Sequence, residues 1–171
     1  MKLAVKNVKV CKWASEETLC FEAVVTIDGV PCIHASNDGH GGSTMLHDFP
    51  NQRGSVVRLM NYAKTLPLVV VERFRDPNDA SKPFTYDQTA DTIVDGLVND
   101  FEALKEMRRA LKRGVYFKSG GAIRYYAKRA WEQFAANPKM LEDIKRRFSD
   151  AVWLNDLPEP DAFAIWNEAA K

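Results

Sequence analysis

The chain lacks the marks of most chemistries a sequence can declare. It holds no G-x-S-x-G elbow and no H-E-x-x-H, so no motif for a serine hydrolase or zinc protease is present. Its glycine-rich stretch continues as Ser43-Thr44-Met45-Leu46, without the lysine of a phosphate loop, which argues against a nucleoside-triphosphate loop. No apolar run approaches the roughly 20 residues that span a bilayer. The opening MKLAVKNVKV sets lysines among its apolar residues, unlike a secretion signal. Cysteine is scarce: Cys11, Cys20 and Cys32 are odd in number and show no C-x-x-C spacing. Free thiols in a reducing cytoplasm are therefore expected. Charge of one sign is also missing. The 24 Lys+Arg against 23 Asp+Glu leave a net charge of +1, so nothing in the balance points to DNA mimicry or bulk polyanion binding.

What is present is a globular chain of 171 residues, 46% hydrophobic and 27% charged, a length that suggests one domain spanning residues 1–171. Residues 1–74 read as mainly β. Leu3, Val5, Val8 and Val10 alternate loosely, with a break at Lys6-Asn7 that suggests a bulge. LCFEAVVTI, residues 19–27, sets Phe21, Ala23, Val25 and Ile27 on one strand face. Asp28-Gly29 follows, a strong hairpin signal before VPCIHAS. A two-residue turn pairs Ile27 with Val30, Val25 with Cys32, Ala23 with His34 and Cys20 with Asn37. That register puts His34 on the face of Phe21 and Val25, and it brings residues 15–18 beside the glycine loop. Ser55–Lys64 reads as a short helix, Leu68–Phe74 as a strand and residues 75–86 as a loop.

The clearest element is a long amphipathic helix within residues 86–113. From Asp87 to Lys112 the apolar positions keep helical spacing over about seven turns. Acidic residues at its start and basic ones at its end suit the helix dipole. Residues 114–171 read as a short hairpin and C-terminal helices. Ser119-Gly120-Gly121 separates two strand-like runs, although Ile123–Ala136 also fits a helix. Pro138–Phe148 and Asp161–Ala170 read as further helices. The expected fold is α+β: an antiparallel N-terminal sheet packed on the long helix, with a small helical C-terminal part.

Three features carry candidate chemistry. The first is Asn37, Asp38, Gly39, His40, Gly41 and Gly42, a loop whose backbone N–H groups could form a nest for an anion, or simply a tight reversal. With Glu16 and Glu17 beside it, His40 and Asp38 become the groups of a catalytic pocket, His40 serving as acid or base. The second is the histidine cluster. His34, His40 and His47 are the chain's three histidines, and Cys32, Asp38 and Asp48 lie close in sequence. A metal held by His40, His47 and Asp38 is the cofactor such a set would take, against a plainer reading of one packed histidine and two solvated ones. The third is basic. Residues 105–147 hold 13 Lys+Arg and 4 Asp+Glu, interleaved with Tyr116, Phe117, Tyr125, Tyr126, Trp131 and Phe134. Cations track phosphates and exposed rings stack bases, so Lys118, Arg124, Lys128 and Arg129 are candidates to contact a nucleic acid or nucleoprotein. The alternative is a set of solvated helix faces with the rings in the core.

Ser15-Glu16-Glu17-Thr18, then Cys20-Phe21-x-Ala23, Asp28-Gly29 and Asn37-x-Gly39-x-Gly41-Gly42, resembles a family of small accessory proteins of bacteriophages and other mobile elements. The likeness covers residues 13–42 and loosely the long helix with the strand after it. It implies a phage-type protein in the host cytoplasm that neutralises a defence component, such as a CRISPR effector or a nucleotide signal, by binding a protein or nucleoprotein surface. The alternative is a small ligand- or nucleotide-binding or catalytic protein with its pocket at residues 37–42.

Overall fold

The structure, a computed structural model, describes residues 1–128 and 130–169, with Ala127 described by its backbone. The end of the last expected helix, at Ala170, lies outside the described residues. By its internal contacts the chain divides into two compact units, Met1–Phe101 and Glu102–Lys171. The fold is α+β, as the sequence pattern predicts.

In the first unit, β1 (Leu3–Val10), β2 (Phe21–Ile27), β3 (Val30–Asn37) and β4 (Met45–Asp48) form an antiparallel sheet in that order. Alternation makes one face apolar: Phe21, Ala23, Val25 and Ile27 of β2 join Ile33 and Ala35 of β3. Helix α1 (Ser55–Ala63) contributes Leu59 to this core, and the first half of α2 (Ala90–Arg113) contributes Ala90, Val94 and Val98. The β1 bulge is present between Lys6 and Lys9. Asp28 and Gly29 take φ of 52° and 87°, the left-handed pair a tight hairpin turn requires. Ile27 pairs with Val30 as predicted, but the register then slips by one residue. Thr26 faces Pro31 and Val25 faces Ile33, leaving Cys32 as the extra residue of a bulge. Pro31 has no N–H to continue the ladder. The slip pairs Ala23 with Ala35, Val24 with His34 and Phe21 with Asn37. His34 therefore lies on the face away from Phe21 and Val25, half-buried, because a one-residue slip reverses every later side chain.

Residues 75–86 are not all loop. β6 (Pro83–Tyr86) pairs with β5 (Val69–Arg75) in a separate two-stranded sheet. Pro83 sits at the first position of its strand, where a missing N–H is tolerated. Helix α2 begins at Ala90, later than Asp87. Thr89 and Thr92 cap it reciprocally, Thr89 N donating to Thr92 Oγ1 at 2.9 Å and Thr92 N donating to Thr89 Oγ1 at 3.5 Å. No helix among the described residues is long and apolar enough to cross a membrane.

In the second unit, Gly120-Gly121 does turn a hairpin, joining β7 (Val115–Ser119) to β8 (Ala122–Ala127). A short β9 (Val152–Trp153) completes a sheet of order β8-β7-β9. The helices are α3 (Trp131–Ala135), α4 (Pro138–Arg147) and α5 (Glu159–Ala169). Each face of the sheet has its own core. Val115 and Phe117 pack with Phe134 and Ile144 on one side. Tyr116 and Ile123 pack with Met107, Leu154 and Trp166 on the other. Asn155 ties the end of α2 to the start of β7: its Nδ2 donates to the carbonyls of Leu111 and Gly114 at 3.0 Å, and its Oδ1 accepts from Tyr116 N at 2.8 Å.

Candidate functional site

In the first unit the acidic corner and the glycine bend meet. The Gly39 carbonyl accepts from the backbone N–H of Glu16 (3.1 Å), Glu17 (2.9 Å) and Thr18 (3.2 Å). This contact requires glycine. Gly39 has φ +91°, and a Cβ there would stand 2.0 Å from the Ala14 carbonyl oxygen. Asn37, 7% exposed, is the hub. Its Oδ1 accepts from Thr18 Oγ1 (2.8 Å) and Gly39 N (2.9 Å), and its Nδ2 donates to the Gly42 carbonyl (2.9 Å) and Thr44 Oγ1 (3.2 Å). Thr44 in turn donates to Asp95 Oδ1 of α2 at 2.5 Å. Burial holds the Asp95 carboxyl above its ordinary range, with the Thr44 hydrogen bond opposing and Asp91 adding to the rise.

Three successive N–H groups of the bend are turned to nearby side chains. Gly39 N donates to Asn37, His40 N to Asp38 Oδ1 and Gly41 N to Thr18 Oγ1. A nest for a phosphate needs such donors pointing outward, and these are occupied internally. His40 Nδ1 lies 3.3 Å from Glu16 Oε2, with both side chains exposed, so the pair carries little energy.

Beside the bend, on the outer face of the sheet, is a groove of about 720 Å³. Asn37, Asp38 and Gly42 line it, while Gly39, His40, Gly41, Glu16 and Glu17 do not. Lys9, Glu22, Ser36 and Met45, adjacent across the ladder, line it too, with Val10, Phe21, Ser43 and, just beyond the strand ends, the half-buried Cys11 and Cys20. The strand neighbours are legible only once the register is known. With one lysine against two carboxylates, the lining suits a neutral or cationic guest better than a nucleotide.

Two of the three histidines meet: His34 faces His47 across β3 and β4, while His40 lies apart at the bend beside Glu16, and Asp48 caps α1 by accepting from Gly54 N and Val56 N. Cys32 is buried, its thiol on the Val25 carbonyl. Among the described residues no three His, Cys, Asp or Glu side chains form a metal-holding group.

In the second unit most interleaved aromatics are core. Phe117 and Phe134 are buried, and Trp131, Trp153 and Phe148 pack around them. Several cations are paired: Arg108 grips Glu159 through two nitrogens, Lys118 Nζ donates to Glu168 at 2.7 Å, and Arg146 and Arg147 meet Asp143. Acidic residues of α5 thus offset part of the local excess. The exception is β8, an edge strand. It exposes Arg124, Tyr125 (53%) and Tyr126 (36%), and exposed Lys128 follows. Arg124 lies over the Phe148 ring at 5.0 Å, Tyr125 rests on Tyr116 and Tyr126 on Phe134. Arg129 lies outside the described residues. No protein-family model, curated protein or solved structure matches the chain.

Proposed function

We propose that this chain is a binding protein that works by occupying a partner surface, not by catalysis. The observation that carries the reading is the edge strand β8, which exposes Arg124 and Tyr126 on the face of Phe148 and Phe134 and Tyr125 on the opposite face, over Tyr116, with exposed Lys128 just beyond its end. An edge strand offers unpaired backbone groups to another chain. Tyrosine and arginine are the residue types that most often anchor interfaces. The rings are braced by Tyr116 and Phe134, which lowers the entropy lost on docking. By the family resemblance, the partner is a protein or nucleoprotein component of host defence. The bend supports the same reading, since its donors serve the fold and its one imidazole faces solvent beside Glu16.

The test is capture from bacterial host lysate by the wild-type chain and by a Tyr125→Ala/Lys128→Glu variant, with and without nuclease, with circular dichroism as the folding control. A hot-spot loss of about 2 kcal/mol predicts roughly 30-fold weaker capture by the variant. The Lys128 part should shrink as salt rises. Survival of capture after nuclease identifies a protein surface, and its loss identifies a nucleoprotein. Equal capture by wild type and variant would remove β8 from the account.

A further inference from the structure

We infer that Cys11 and Cys20 form a dithiol site that reacts with small-molecule disulfides and closes into an intramolecular disulfide bond. The two residues continue the β1–β2 pairing one step beyond Val10 and Phe21, and Cys11 N donates to the Cys20 carbonyl at 2.9 Å. That single bond holds the pair, since Cys20 N donates to Ser15 Oγ; directly opposed antiparallel residues have Cα atoms about 4.5–5.5 Å apart, a separation that a disulfide bridges. Both thiols are free and half-buried, and both cysteines line the groove beside the glycine bend. A small reagent therefore reaches them without unfolding. The arrangement is distinct from Cys32, which is buried beneath the sheet and bonded to Val25. It is also independent of the β8 surface.

The order of events follows from the surroundings. Burial first, then the neighbouring Cys11, pushes the Cys20 thiol up, so it resists ionisation. Cys11 is then the attacking group. Its thiolate displaces one thiolate from the small disulfide and forms a mixed disulfide. Cys20 gives up its proton and attacks the Cys11 sulfur, releasing the second small thiolate. The protein dithiol loses two electrons to the reagent, and its two protons pass to solvent. The new bond would fasten both ends of the 12–19 corner, the segment whose amides hold Gly39, and Cys20 Cβ already stands beside Gly39.

The experiment uses the full chain in a Cys32→Ala background with oxidised glutathione, acid quench and a non-reducing tryptic digest. Lys12 lies between the two cysteines, so the bond would join peptide 10–12 to peptide 13–53. The linked pair is expected as the main product. Cys20→Ser should instead retain glutathione on Cys11, and Cys11→Ser should be modified at Cys20 several-fold more slowly. Separate glutathione adducts on both cysteines of the parent, no reaction, or a linked pair that forms only in urea would each overturn the site.

Discussion

Gly39→Ala is the sharpest perturbation of the corner. Two costs are readable from the geometry. A non-glycine residue at φ +91° is strained by about 1 kcal/mol or more. The added Cβ would also meet the Ala14 carbonyl oxygen at 2.0 Å, against a limit near 3.0 Å, so backbone must retreat by about 1 Å. That retreat stretches the three N–H bonds to the Gly39 carbonyl. They share one acceptor, so together they are worth about 1–2 kcal/mol, less than three independent bonds. The sum is about 2–4 kcal/mol, a large share of a stability of roughly 5–15 kcal/mol. Gly29→Ala isolates the first cost, since Gly29 has φ +87° but nothing within 4 Å of its Cβ position. Urea unfolding followed by circular dichroism should show Gly39→Ala costing at least about 1–2 kcal/mol more than Gly29→Ala. Hydrogen exchange of the Glu16, Glu17 and Thr18 amides should accelerate in the first variant alone. Equal losses in the two variants, or unchanged exchange, would refute the close approach.

Asn37→Ala removes both acceptor and donors of the hub and should destabilise by about 2–3 kcal/mol in the same assay. Asn155→Ala should cost a similar amount, about 2–3 kcal/mol, because it strands two carbonyls at the end of α2 and the Tyr116 N–H; a change below about 0.5 kcal/mol would contradict it. Asp95 has its folded pKa raised, so its charged form is disfavoured by folding. Its penalty is fully present above the folded pKa and fades as pH falls toward the unfolded value. Asp95→Asn should therefore stabilise at neutral pH and flatten stability between mildly acidic and neutral pH, measured by thermal unfolding across that range. Asp150 has the opposite sign: hydrogen bonds from Ser119 and Gly120 hold its carboxyl below the usual range, so their contribution is present above the unfolded pKa and is lost in acid. Asp150→Asn should lose stability at neutral pH and remove that acid loss.

The sequence carried the elements more readily than their register. Phe21 to Ile27 alternate cleanly, and Asp28-Gly29 names its own turn, so the hairpin is legible from local chemistry. The Cys32 bulge is not, because it arises where Pro31 meets its partner strand, and that moved His34 to the other face. Likewise β6 has only four residues and opens on a proline, so composition reads it as loop. The meeting of residues 15–18 with the glycine bend was within reach, since the hairpin brings those ends together even with a one-residue slip. The groove was less so: Lys9, Glu22, Ser36 and Met45 are unremarkable in sequence and become neighbours only through cross-strand pairing. Part of the basic segment's charge is offset by residues the segment itself does not show, because Glu159 and Glu168, which pair with Arg108 and Lys118, lie outside it.

The central claim, that the β8 edge is the contact surface, is tested most directly by site-specific photocrosslinking in host cells. A crosslinking residue replaces Tyr125 in one chain and Ser43, on the groove, in another. The account predicts a discrete adduct from position 125 and none from position 43. An adduct from position 43 with none from position 125 would place binding at the groove and contradict it.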